Sequence, residues 1–232
     1  FKKIGQSTKN CLRIAGFSGD TVEIDSGMFR NSRKPSFLAG LQKQSEVLPP
    51  NFSPRDHFLP YRIPAPGDSI TLDSLSIRDF FFAISIINQE NQGKGVTFKP
   101  LVTIDGLVST DYIISGFSLY KGTVDAIPDD LKNDWFFWYR LKSYLDQTNS
   151  EHSIRLSFSV MLGNSSISKY TVKKSYVFLL ADNWSTGLDS RYFGPVQSAN
   201  ISGRAFLVLW SHGENTTGKT HLRINRFGRI VK

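Results

Sequence analysis

Nucleophilic catalysis needs a hydroxyl or thiol beside a base, and metal catalysis needs clustered ligands. The four histidines of this 232-residue chain, His57, His152, His212 and His221, are scattered without metal-ligand spacing. A Ser-His-Asp triad can be assembled from them only on paper, because such a triad is defined by geometry. Cys11 stands alone, which excludes an internal disulfide and a cysteine-rich zinc site. There is neither a phosphate loop nor a dinucleotide fingerprint, so no cofactor is expected. One stretch is more informative: Leu180-Ala181-Asp182-Asn183-Trp184-Ser185-Thr186-Gly187-Leu188-Asp189-Ser190-Arg191-Tyr192-Phe193-Gly194-Pro195-Val196. It brings acid, amide, hydroxyl and guanidinium groups together in a short span.

The elements that must position these groups read as follows. Cys11 to Ala15 alternates like a strand, Ser18-Gly19-Asp20 turns the chain, and Thr21 to Ile24 begins a second strand. From Ser26 to Pro66 the chain is rich in Ser, Pro, Asn and Lys, which predicts loops. A small strand follows at Ser69 to Leu72. Asp73 to Glu90 reads as a helix capped by Asp73 or Ser74. Val96 to Tyr112 reads as a hairpin around Asp105-Gly106. Pro128 to Gln147 reads as one helix, with Leu131, Trp135, Trp138, Leu141 and Leu145 at helical spacing. The spacing assigns its tryptophans to core packing. Ser153 to Leu162 alternates as a strand, Gly163-Asn164 turns it, and the next strand runs towards Leu180. Asp79-Phe80-Phe81-Phe82 and Asp134-Trp135-Phe136-Phe137 each open a helix followed by a hairpin, the pattern of an internal repeat. Arg204 to Trp210 reads as a buried strand, and Arg223 to Lys232 as a short final element.

Composition narrows the function classes. Hydrophobic residues make up 40% and charged residues 21%, enough for a packed core rather than disorder. The longest apolar run, Phe80 to Ile87, is far short of the roughly 18 residues needed to cross a bilayer. Lys and Arg exceed Asp and Glu by 28 to 20, a net charge of +8. Aromatics sit at core spacing rather than among basic residues, so no nucleic-acid partner is expected. Arg223, Arg226, Arg229 and Lys232 form the only dense basic stretch, suited to lipid headgroups or to simple solvation.

The Leu180 to Val196 stretch resembles the C-terminal signature of bacterial signal peptidase I, G-D-N-R-x-x-S-x-D-S-R-x-x-G-x-V. Asp182, Asn183, Asp189, Ser190, Arg191, Gly194 and Val196 match it. Gly203-Arg204-Ala205 and the apolar residues after it are also similar to the family. Leu12 to Ile24 resembles the family's K-R-x-x-G-x-P-G-D-x-V motif, with Arg13, Gly19 and Asp20 in place. Tyr61 to Ile70 is similar to a stretch in the inserted domain of Bacteroidetes-like members. The middle from Ser115 to Glu151 looks like an addition.

The resemblance implies a Ser/Lys endopeptidase that removes signal peptides from exported preproteins. In such a pair, apolar surroundings disfavour the ammonium and leave an amine able to take the serine proton. The family lysine falls on Leu12, the orienting serine on Gly187, and the arginine after Asp182-Asn183 on Trp184. Lys9, the nearest lysine, lies three residues away on the opposite strand face. Asp25-Ser26-Gly27-Met28 only superficially resembles the nucleophile motif. The expectation is a catalytically degenerate member, with Asp189 and Arg191 kept as scaffolding; the alternative is an active peptidase whose nucleophile and base come from an upstream segment. The implied fold is mainly β, an antiparallel core of signal peptidase type with an inserted α+β domain. Residues 1–24 and 172–232 would form the core and 25–171 the insertion. The implied partners are a signal peptide or preprotein segment and the membrane, through an upstream helix. The implied location is the extracytoplasmic face of the cytoplasmic membrane.

Overall fold

The computed structural model describes residues 11–33, 47–50, 52–109, 112–148, 151–184, 186–209, 212–214, 220–222 and 226–230. The chain divides into two compact units, Phe1–Ser198 and Ala199–Lys232. The fold is mainly β, with antiparallel sheets.

The first unit opens with β1 (Arg13–Phe17) and β2 (Thr21–Asp25). Gly19 takes φ +89° in the turn between them, a conformation open to glycine at little cost. Asp20 closes that turn by accepting the Phe17 N–H at 2.9 Å. A two-residue turn at Ser26 and Gly27, both with positive φ, leads into β3 (Met28–Asn31). Then comes β4 (Phe58–Arg62), and β2 lies between β3 and β4. The expectation of loops throughout Ser26 to Pro66 is therefore corrected. Phe29, Phe58 and Tyr61 all point inward, the last two across an irregularity in the β2/β4 register, and bury an apolar face that proline counting does not register.

A small strand β5 (Ser69–Thr71) precedes helix α1 (Ile77–Glu90). The cap of α1 is Ser76, whose hydroxyl accepts the Asp79 N–H. Asp73 and Ser74, expected as caps, lie in a preceding 3-10 turn. Phe80, Phe81, Phe82, Ile86 and Ile87 bury one face of the helix. Truncating the 1%-exposed Phe82 to alanine costs about 3–5 kcal/mol. The hairpin β6 (Val96–Ile104) and β7 (Leu107–Ser109) turns at Asp105-Gly106, as expected. Short strands β8 (Ile113–Ile114) and β9 (Gly122–Thr123) pair with each other.

The helix expected over Pro128 to Gln147 is two: α2 (Asp129–Lys132) and α3 (Trp135–Thr148). The break has a local cause. Asn133 donates its side-chain amide to the Asp129 carbonyl, and Asp134 restarts the helix by accepting the Phe136 N–H. Trp135 and Trp138 are buried, in keeping with core packing.

Next come β10 (Ile154–Leu162), β11 (Ser165–Ser166), β12 (Lys169–Thr171) and β13 (Tyr176–Leu180). Thus the run towards Leu180 is three short strands rather than one. The two helix-plus-hairpin segments meet in one sheet, ordered β11-β10-β6-β7, and β6 pairs with β10 over nine residues. Phe80, Phe81, Phe98, Trp138 and Phe158 interlock beneath it. β13 pairs with β1, closing the unit between its far ends. A short helix α4 (Ser190–Phe193) and β14 (Val196–Gln197) follow, and β14 pairs with β13.

In the second unit β15 (Leu207–Val208) pairs with β18 (Arg229–Ile230), and β16 (His212–Glu214) with β17 (Thr220–Leu222). The buried strand expected over Arg204 to Trp210 is not found. Only Leu207–Val208 is extended, and Phe206, Leu207 and Leu209 are exposed. An apolar run alone does not say what covers it. Trp210, Arg223 and Lys232 lie outside the described residues, as does Lys9; Arg226 and Arg229 are exposed.

Candidate functional site

The β1/β13 pair brings both sequence motifs to one place. Arg13 at the start of β1 is opposite Leu180 at the end of β13. Leu12, just before β1, and Ala181, just after β13, therefore flank the same end of the ladder. Arg13 grips Asp182 with two hydrogen bonds, 3.0 Å from Nε and 3.2 Å from Nη2. This ion pair is partly exposed and joins the first motif to the signature. At the far end of β1, Gly19 donates its N–H to the Ile63 carbonyl. The buried Asp20 carboxylate lies 2.9 Å from the Arg33 guanidinium.

Past Ala181 the chain makes a tight turn in which the Gly187 N–H donates to the Asn183 carbonyl at 2.8 Å. Asn183 also donates to the Thr186 hydroxyl. The turn leads to Asp189, which caps α4 by accepting the Arg191 N–H. The same carboxylate accepts the Ala181 N–H at 2.9 Å and so ties the two ends of the turn. Ser190 accepts the Leu179 N–H through its hydroxyl oxygen.

Asp189, Ser190 and Arg191 are fully buried. Arg191 meets the Asp189 carboxylate from Nε at 2.8 Å and from Nη2 at 2.7 Å. Its remaining donors reach the carbonyls of Arg55 and Trp184. A buried ion pair is tolerable only when its other polar atoms find partners, and this one does.

Trp184, which stands where the signature has arginine, lays its ring 4.2 Å from the Arg191 guanidinium carbon. Its indole N–H donates to Asp56 at 3.0 Å. Burial pushes the Asp56 pKa up, but hydrogen bonds from Arg55, the Leu48 N–H and Trp184 outweigh it and hold the carboxyl below its usual value. Sequence reading missed this cluster. Its one signal was the arginine-to-tryptophan departure, and Asp56 sits in the proline-rich segment, outside every stretch that resembles the family.

What can the arrangement do chemically? Leu12 carries no titratable group and is half-buried. Gly187 carries no hydroxyl, and the space for one is closed. A Cβ built on Gly187 would lie 2.3 Å from the Ala181 methyl and 2.5 Å from the Asn183 carbonyl oxygen. Real Cβ atoms essentially never approach so closely, so the turn must open to admit any side chain. The signature places glycine where Ala181 stands and serine where Gly187 stands. The two sites have exchanged their small and larger residues. Among the described residues no cluster of His, Cys, Asp and Glu could hold a metal ion. The Asp25 to Met28 segment forms the β2/β3 turn.

Residues 123–210 match the family model described as signal peptidase, peptidase S26. The chain is 30% identical over 118 residues to a signal peptidase I of Buchnera aphidicola subsp. Acyrthosiphon pisum, an alignment covering 49% of this chain and 33% of the relative. It is 41% identical over 58 residues to the mitochondrial ATP-independent inner membrane protease subunit 1a of Arabidopsis thaliana, covering 24% of this chain and 34% of the relative. The chain thus spans about a third of the length of these curated relatives. No solved structure matches it. Among the described residues no helix is long and apolar enough to cross a membrane.

Proposed function

We propose that the chain is a degenerate member of the signal peptidase S26 family, to which it is similar over residues 123–210, and that it holds a signal peptide or preprotein segment without cutting it. The carrying observation is the closed space at Gly187, beside a Leu12 that cannot take a proton. In a Ser/Lys mechanism the lysine must lose its proton to the solvent before it can receive the serine's, and a hydroxyl must hold it in line. Leu12 and Gly187 supply neither group. The bracing remains: Arg13 on Asp182, Asp189 on Arg191 and the Ala181 N–H. A braced β end without a base suits recognition of an extended chain by main-chain pairing. On this reading the domain works at the extracytoplasmic face of the cytoplasmic membrane, near the export machinery.

The test is a cleavage assay on a signal-peptide substrate with the protein in its full natural length. A companion variant carries Leu12→Lys, Ala181→Gly and Gly187→Ser together. The expected result is no cleavage by the unmodified protein and cleavage by the triple variant. Cleavage by the unmodified protein overturns the proposal and assigns nucleophile and base to other parts of the chain. Equal Kd values for signal peptides and scrambled peptides would remove the recognition role.

A further inference from the structure

We propose that the free edge of β10 is a second peptide-binding site, one that takes an extended, uncharged segment as an added strand. This holds whether or not the chain cleaves anything, because it uses no residue of the β1/β13 end.

The register fixes which way the main chain of β10 points. Phe158 lies opposite Pro100, and Pro100 has no N–H to give. That pair cannot exchange two hydrogen bonds, so it occupies a non-hydrogen-bonded position of the antiparallel ladder. By alternation Ile154, Leu156, Phe158 and Val160 aim their N–H and C=O groups away from β6. Two contacts agree. The Val160 carbonyl accepts the Ile167 N–H at 3.0 Å on that side. β11 pairs with β10 only at Met161 and Leu162. Among the described residues no strand pairs with β10 from Ile154 to Ser159 on that side.

A long unpaired edge invites association, and proteins usually blunt it with lysine, proline, a bulge or brevity. Here the free length carries none of these. Its register against β6 is continuous, and Arg155 is its only charge. Six residues of strand run about 20 Å at roughly 3.4 Å per residue.

A cleft of about 670 Å³ runs along this edge. One wall is β10 from 155 to 160; the other is the 3-10 turn and following residues 72–75 with residues 166–168. Its size falls in the range of ligand-binding clefts. The chemistry of the lining selects the occupant. Donors and acceptors repeat every second residue along β10, which only another extended main chain can match in series. A helix or a lipid tail would leave them unpaired and buried, at a cost. Arg155 and Asp73 are the only charges lining the cleft; the rest are serines and apolar side chains. The segment that fits is therefore uncharged, with small apolar and hydroxyl side chains.

The test is amide hydrogen exchange by NMR on the protein with and without a peptide of alternating valine and serine between terminal lysines. The Leu156 and Phe158 amides, fast in the free protein, should slow at least tenfold on binding. Ser157, already bonded towards β6, should change little. N-methylation of the peptide at alternate residues should weaken binding at least tenfold in one phase and leave it unchanged in the other. That pattern needs no protein variant and so survives any loss of folding. No binding at millimolar peptide overturns the proposal, as does binding indifferent to the phase of methylation. Slowing that grows with protein concentration in the absence of peptide also overturns it, and assigns the edge to a second copy of this chain.

Discussion

Trp184 and Asp56 are joined by a 3.0 Å hydrogen bond between two buried side chains 128 residues apart. The bond fastens the signature loop to the segment before β4. Trp184 carries no charge that would need its own anion, and it offers Arg191 a flat face. Trp184→Phe keeps most of the packing and removes the donor. It should destabilise the fold by about 1–3 kcal/mol, the cost of leaving a buried acceptor short of a partner. Urea denaturation with an unchanged slope checks this.

The Asp189–Arg191 pair should behave as a unit. Arg191→Met alone strands a buried carboxylate and should cost about 3–5 kcal/mol. Asp189→Asn combined with Arg191→Met should cost less than the sum of the two single changes. A double-mutant cycle in denaturant reads the coupling. Additivity would mean the two side chains are independent.

Gly187→Ser should lower stability by about 1–3 kcal/mol, because the new Cβ meets the Ala181 methyl and the Asn183 carbonyl. Adding Ala181→Gly removes one of those two collisions and should recover part of the loss. Thermal melting of the single and double variants checks the order. A Gly187→Ser protein as stable as the parent would show that the turn opens freely.

Two carboxylates should give stability opposite dependences on pH. Asp56 is held below its usual value, so its contribution is full above the unfolded pKa of about 3.9 and is lost as pH falls through the lower folded value. Asp56→Asn should therefore flatten the loss of stability in acid. Burial pushes Asp134 up, against the N–H groups of Phe136 and Phe137 that pull it down. Its contribution is full below the unfolded pKa and is lost as pH rises through the folded one. Asp134→Asn keeps a side-chain oxygen for the helix start, so it should match or exceed the parent above that range. Denaturation midpoints across pH 3 to 7, on the order of one unit apart, separate the two.

Much of this was written in the sequence where the signal is local. The turn at Gly19, the Asp105-Gly106 hairpin and the long strand Ile154–Leu162 follow from residue type and two-fold alternation. The family resemblance, not residue spacing, is what pointed to Asp189 and Arg191 together, and the two side chains meet at 2.8 Å. What sequence could not supply was long-range. Phe58 and Tyr61 become strand residues because they cover Phe82 and Phe178, far along the chain. Asp56 finds Trp184 the same way. The break between α2 and α3 was missed because Asp134 is as compatible with a helix interior as with a helix start until its backbone partner is known. The exposed Phe206 and Leu209 show the converse error, in which apolar residues were read as buried without a surface to bury them.

The pairing of β1 with β13 also sets an order of events. On the ribosome β1 is made before β13, and its partner is about 160 residues behind it. At roughly 5–20 residues per second, β1 waits on the order of ten seconds before β13 exists. Closing so long a loop also carries an entropic cost that local hairpins do not. The β6/β7 and β10/β11 hairpins and the two long helices can form in that interval, while the Arg13 strand stays open. Its first companion is thus whatever meets it during synthesis or transit, and the fold is completed from the middle outward.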